Sequence, residues 1–182
     1  MNAPNLLTSL RIGLIPFLIW ALQSSFKGHE FLALGIFLLA SLTDTVDGIW
    51  ARRAKKITVL GQLLDPIADK LLMVSAFICL VDAGTVAAWM AVIIIGRELA
   101  VTGFRAIAAS KGVIIPASWP GKIKMGLETI TLSFLILGKE ILGKLFLAGR
   151  IGLWFVLAAS LYSAGEYFWN YGPSLLKERS NH

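Results

Sequence analysis

Four aspartates, Asp44, Asp47, Asp65 and Asp69, fall within 26 residues of this 182-residue chain. The first two are three apart and the last two are four apart, so each pair shares one face of a helix. A short link separates the pairs. The helices that carry them are therefore expected to be antiparallel neighbours, with four carboxylates converging on one site. Four acids together repel, and something must neutralise them. All-oxygen ligation suits a hard cation, Mg²⁺ or Mn²⁺ rather than Zn²⁺, and two divalent ions balance four carboxylates. Two-metal sites often carry phosphoryl transfer, holding phosphate oxygens through an in-line displacement. The bland alternative is that the four are interfacial loop charges paired with Arg52, Arg53, Lys55 and Lys56. Two glycines favour a site. Gly48 follows Asp47 and Gly61 lies four before Asp65, and a glycine beside a carboxylate lets a bulky ligand reach the backbone. Either glycine alone would be read as helix packing or a turn. One cysteine and two histidines, His29 and His182, argue against a Cys-rich or multi-histidine metal site.

Such a site needs a scaffold, and composition says which solvent surrounds it. The chain is 57% apolar and 15% charged, with a mean hydropathy of +0.75. Soluble domains run at about 45–50% and about 25%. The hydrophobicity excludes disorder. The net charge is +6, but scarce, scattered charge argues against a nucleic-acid partner. Six apolar stretches approach the roughly 20 residues of a helical span: residues 6–23, 31–50, 63–81, 86–109, 119–137 and 145–169. Links such as 24–30, 52–62 and 139–144 are too short for a soluble domain. The runs lack the alternation of barrel strands. The expectation is one all-α integral membrane domain over residues 1–182, with six transmembrane helices. Arg11 lies inside the first run and no small-residue cleavage site follows Trp20, so that run is read as a retained helix, starting as an interfacial one at residues 2–10.

Lysine and arginine in the links set the orientation. With both termini cytoplasmic, ten basic residues lie inside: Arg52, Arg53, Lys55, Lys56, Arg105, Lys111, Lys122, Lys124, Lys177 and Arg179. Three lie outside: Lys27, Lys139 and Lys144. The aspartates then sit toward the cytoplasmic surface. Arg11, Lys70, Arg97 and Arg150 fall within the segments and need separate explanations.

The full pattern is Asp44-x2-Asp47-Gly48-x2-Ala51-Arg52-x8-Gly61-x3-Asp65-x3-Asp69. It resembles the signature of the CDP-alcohol phosphotransferases at all eight of its fixed positions. That resemblance implies the family's membrane fold, with Asp44, Asp47 and Asp65 binding metal and Asp69 both binding metal and acting as general base. Gly48, Arg52 and Thr58 would contact the CDP moiety, within a CDP-lipid site that also takes in Ala51 and Gly61. The chemistry agrees. Metals polarise the diphosphate and make CMP a better leaving group, a positioned carboxylate can take the acceptor's proton, and a guanidinium suits bidentate phosphate contact. The resemblance further implies magnesium or manganese, a homodimer, and entry of substrate from the cytoplasmic leaflet of a bacterial inner membrane.

Three further segments look like those of bacterial phosphatidylglycerophosphate synthases: residues 4–11 (PNLLTSLR), 96–105 (GRELAVTGFR) and 117–124 (ASWPGKIK). In that subfamily the positions of Asn5 and Thr8 lie near the CDP-lipid head group. The implied reaction is CDP-diacylglycerol plus sn-glycerol 3-phosphate, giving phosphatidylglycerophosphate and CMP. A dianionic acceptor needs cations, and Arg97, Arg105, Lys122 and Lys124 are the candidates for its phosphate. Lys122 and Lys124 have the alternative role of membrane-surface anchors. Arg105 has that of snorkelling to the interface, and Arg97 that of a structural ion pair, in which the adjacent Glu98 is the weaker partner because neighbouring residues diverge on a helix. Lys70 is left out of the site for the same reason. Cys79 reads as packing, the six tryptophans mostly as interface anchors, Arg150 as an anchor of the last span or a lipid contact, and Glu128 as a packing or subunit hydrogen bond. The competing readings are a family member with another acceptor (inositol phosphate, serine or phosphatidylglycerol), an Asp-rich membrane prenyltransferase, and a cation transporter.

Overall fold

The structure is a computed structural model. It describes the backbone of residues 3–54, 59–110 and 119–177, and the side chains of residues 9–43, 67–110, 121 and 123–170. Among the described residues there are six α-helices and no strands: α1 (Ala3–Gln23), α2 (His29–Ala54), α3 (Val59–Asp82), α4 (Ala88–Ser110), α5 (Trp119–Leu142) and α6 (Phe146–Lys177). A 3₁₀ turn, Gly143–Leu145, joins the last two. Each of the six apolar stretches is thus helical, but several boundaries move. The N-terminal segment is continuous from Ala3 to Gln23 through Pro16, with no separate interfacial piece. The expected link at 52–62 is mostly helical, because α2 runs to Ala54 and α3 begins at Val59. The expected link at 139–144 is largely the end of α5, which bends at Gly138, where φ is 72°.

Local chemistry explains where α3 stops. Gly84 has φ +67°, a conformation that side chains with a Cβ rarely adopt. Its N–H donates to the Val81 carbonyl and the Thr85 N–H to the Leu80 carbonyl, both at 2.9 Å. This pair of bonds is a Schellman cap, and it satisfies carbonyls that the helix end would leave bare.

The helices pack as a bundle in which α5 and α6 form the most extensive pair and α1 lies against both α2 and α3. The expected contact between α2 and α3 exists, but α1 packs on each of them more than they do on one another. Further contacts join α4 to α6, α2 to α5 and α3 to α4. Buried positions recur at three- and four-residue steps: Arg11, Ile15, Leu18 and Ala21 on α1, and Ala33, Phe37 and Ala40 on α2. The small residues let backbones approach. At two glycines of α6 the approach to α5 is close: a Cβ added at Gly152 would sit 2.6 Å from the Thr131 Oγ1 and one at Gly149 would sit 2.9 Å from the Phe134 Cβ.

The outward faces carry the large apolar side chains, among them Phe17 at 61% exposure, Val92 at 69% and Phe155 at 61%. The buried set, by contrast, includes Arg11, Lys124, Glu128, Ser160 and Ser163. Among the described residues one stretch, Ile123–Asn170, is long and apolar enough to cross a membrane, and Ser9–Gln23 and His29–Thr43 are shorter apolar helices, so the count of six spans is not confirmed. The long stretch runs through the α5–α6 turn. Charges interrupt two of the other segments: Asp69 and Lys70 within α3, and Arg97 and Glu98 at the middle of α4.

Candidate active site

The aspartates are carried by α2 and α3. Asp44 and Asp47 lie on α2 ten and seven residues before its end, and Asp65 and Asp69 lie within the first half of α3. Gly48, Ala51 and Arg52 continue α2, and Gly61 opens α3. Of the four acids, Asp69 is the one whose side chain is described. The side chains of Asp44, Asp47, Asp65 and Arg52, and those of Asn5, Thr8 and Lys122, lie outside the described residues, as does Thr58 altogether. Two hydrogen bonds converge on α2 one turn ahead of Asp44. The Ala40 carbonyl accepts from Arg11 Nε at 3.3 Å and from Thr43 Oγ1 at 2.7 Å. Arg11 is 1% exposed. It brings the half of α1 that holds Asn5 and Thr8 to the aspartate end of α2, and this accounts for a basic residue inside an apolar segment.

Asp69 is only 16% exposed, and its Oδ2 lies 3.1 Å from Lys70 Nζ. Lys70 also bonds Glu98 Oε2 on α4. Glu98 Oε1 accepts from Arg97 Nη1 and from Lys124 Nζ, each at 2.5 Å. Lys124 Nζ reaches Glu128 Oε2 at 2.5 Å, one turn along α5. Arg97 extends the set to α6, its Nε donating to the Ser160 carbonyl at 3.1 Å and its Nη2 to the Ser163 hydroxyl. Three carboxylates thus meet three cations, and the ties bind α3, α4, α5 and α6 to one another.

Several expectations change at this network. Arg97 does pair with its neighbour Glu98, because a long guanidinium side chain curls back where backbone directions diverge. Lys70 likewise reaches both the adjacent Asp69 and Glu98. Lys124 is not a surface anchor: it is 2% exposed and held by two carboxylates. Glu128 is that lysine's partner within the same chain. Glu98, which reasoning from the sequence passed over, is the hub. A signal for it existed, since two basic residues inside apolar segments, Lys70 and Arg97, call for a buried acid. Arg105 lies about two turns beyond Arg97 on α4 and is exposed.

A divalent cation fits the chemistry of the donor set. The four signature acids on α2 and α3 are carboxylates, the oxygen ligands a hard cation takes, and Lys70 engages one of the two oxygens of Asp69.

Comparison with known proteins gives this arrangement its family. Residues 1–162 match the CDP-alcohol phosphatidyltransferase family model. The chain is 37% identical to a CDP-diacylglycerol–glycerol-3-phosphate 3-phosphatidyltransferase of Bacillus subtilis, covering 92% of this chain and 93% of that one. It is 37% identical to the protein of the same name from Rickettsia felis, again over 92% and 93%. A further relative of that name, from Pseudomonas fluorescens, is 35% identical over 86% of this chain and 87% of its own. The chain, with its eight-position aspartate signature carried on α2 and α3, belongs to the CDP-alcohol phosphatidyltransferase family.

Proposed function

We propose that the protein transfers a phosphatidyl group from CDP-diacylglycerol to sn-glycerol 3-phosphate, releasing CMP. The observation that carries this is the 37% identity to the Bacillus subtilis enzyme of that name across 92% of the chain. Asp44, Asp47, Asp65 and Asp69 hold one or two Mg²⁺ or Mn²⁺ ions, whose chemistry when bound is to polarise the diphosphate. Asp69 takes the proton of the acceptor hydroxyl as its oxygen bonds to the phosphatidyl phosphorus. The phosphorus–oxygen bond to CMP breaks in the same displacement. Arg52, with Gly48, Ala51, Thr58 and Gly61, holds the cytidine diphosphate, and Asn5 and Thr8 approach the lipid head group. Arg97, Arg105, Lys122 and Lys124 are the candidates to face the acceptor phosphate, with Arg97 and Lys124 already paired to Glu98 and Glu128.

The working enzyme spans a bacterial inner membrane several times, with its site at the cytoplasmic face, and functions as a homodimer. The apolar outer face of the bundle and the ten-to-three excess of basic residues support the first two statements. Purified protein in lipid nanodiscs, given CDP-diacylglycerol and each of several acceptors, tests the reaction. Glycerol 3-phosphate should release CMP, and Asp69→Asn should abolish release without loss of the folded protein. CMP release with serine or inositol phosphate but not with glycerol 3-phosphate would overturn the assignment.

A further inference from the structure

The ion network has one branch that leaves the helix-tying set and reaches the proposed reaction centre. Lys70 Nζ sits between two carboxylates, Glu98 on α4 and Asp69 beside it, the latter at 3.1 Å. Glu98 is itself fixed by Lys124 and Arg97, each at 2.5 Å, and Arg97 is fixed in turn by the Ser160 carbonyl on α6 at 3.1 Å. The Lys70 ammonium therefore does not roam. It is anchored by a residue whose own position three helices determine, and what it presents to Asp69 is a donor in a set place. A carboxylate with one oxygen held by a fixed ammonium has its plane oriented, and a general base works only when oriented toward its proton.

We propose that Glu98 is a positioning residue for the reaction. Acting through Lys70, it orients the Asp69 carboxylate and sets how much of that carboxylate's charge remains for a divalent cation. The proposal rests on the reading of Asp69 as metal ligand and base. Its logic is competition. Lys70 and the metal draw on the same carboxylate, while Glu98 shares the ammonium and so relieves Asp69 of part of it. Removing the charge of Glu98 leaves Lys70 turned more fully on Asp69, and metal binding weakens. Removing Lys70 frees Asp69 Oδ2, and metal binding tightens although the base loses its orientation. Once Lys70 is gone, Glu98 has nothing to act through.

The test compares wild type, Lys70→Met, Glu98→Gln and the double variant in nanodiscs. Mn²⁺ binding is read by electron paramagnetic resonance of the free ion, turnover by CMP release and folding by thermal unfolding. The Mn²⁺ half-saturation should fall about fivefold or more in Lys70→Met and rise about as much in Glu98→Gln, with the double variant matching Lys70→Met. Both single variants should lose about tenfold or more in kcat while the KM for glycerol 3-phosphate stays close to wild type. A merely structural brace would lower the unfolding temperature and leave the two half-saturations unshifted or shifted in one direction. Either result overturns the proposal, as does a double variant that follows Glu98→Gln. Should Glu98→Gln not fold, Lys70→Met alone decides, since an unchanged or raised half-saturation contradicts the competition. Wild-type protein that binds no Mn²⁺ overturns the metal reading and this inference together, whereas binding with the wrong pattern of shifts overturns the inference alone.

Discussion

Lys124 and Arg105 divide the work of a cation in this bundle by where they sit. Lys124 is 2% exposed with a carboxylate on either side, whereas Arg105 is exposed two turns past the hub on α4. Breaking a buried ion pair by removing one partner costs about 3–5 kcal/mol, because the other charge stays behind. Glu128→Gln should therefore lower the unfolding temperature markedly, moderated by the bond Lys124 keeps to Glu98. Differential scanning fluorimetry in detergent reads this directly. Arg105→Ala should instead raise the KM for glycerol 3-phosphate, and an unchanged KM would remove Arg105 from the acceptor set. At the aspartates, chelation with EDTA should stop CMP release, and Mg²⁺ or Mn²⁺ added back should restore it. Turnover that persists after exhaustive chelation would refute the metal role. The aspartate signature was legible in the sequence because the residue types and spacings lie within 26 positions. The Glu98 hub was not, because its partners at positions 70 and 124 come from helices distant in sequence. Its neighbour Arg97 reaches it only through side-chain length, which backbone geometry does not reveal.

Among the elements, α5 and α6 form the most extensive pair, and two glycines of α6 lie close against side chains of α5. A methyl group at position 152 would lie 2.6 Å from Thr131 Oγ1, well inside contact distance, and the threonine is buried. Gly152→Ala should destabilise the protein by about 1–3 kcal/mol, the usual cost of overpacking. Thr131→Ala in the same chain should recover much of the loss by vacating that space. Unfolding temperatures of the two single variants and the double form a cycle, and simple additivity would show that the contact is not what resists the alanine. Helix number and rough extent were legible from the apolar runs alone. The ends were not, because ends depend on capping: Gly84 stops α3 through two backbone bonds, while α5 passes its expected end and bends at Gly138 before the 3₁₀ turn. Likewise the short link expected at 52–62 implied that α2 and α3 touch, as they do, but it could not reveal that α1 packs more fully on each of them.

The whole molecule inverts the usual distribution of polarity: its ion network is interior, and its outer faces carry phenylalanine, tryptophan and valine. In water such a surface would invite association, whereas in lipid it needs no cover. The same inversion explains how one buried carboxylate, Glu128, and two half-buried ones, Asp69 and Glu98, are tolerated. They meet as many cations, so the interior carries paired charge, and the pairing ties four helices where hydrophobic contact with lipid tails gives no preference for helix over lipid. The proposed sidedness rests on the charges at the links. Lys27 lies between α1 and α2 and Lys144 between α5 and α6, while Lys56 lies between α2 and α3. Cys79 is the one cysteine and is buried, so its replacement by alanine provides a background without reactive thiols. On that background, Lys27→Cys and Lys144→Cys should react with a membrane-impermeant maleimide in intact cells. Lys56→Cys should react only in inverted vesicles, on the side where CMP is released. Labelling of Lys56→Cys from outside intact cells would reverse the orientation and carry the aspartate site to the wrong face for a cytoplasmic acceptor.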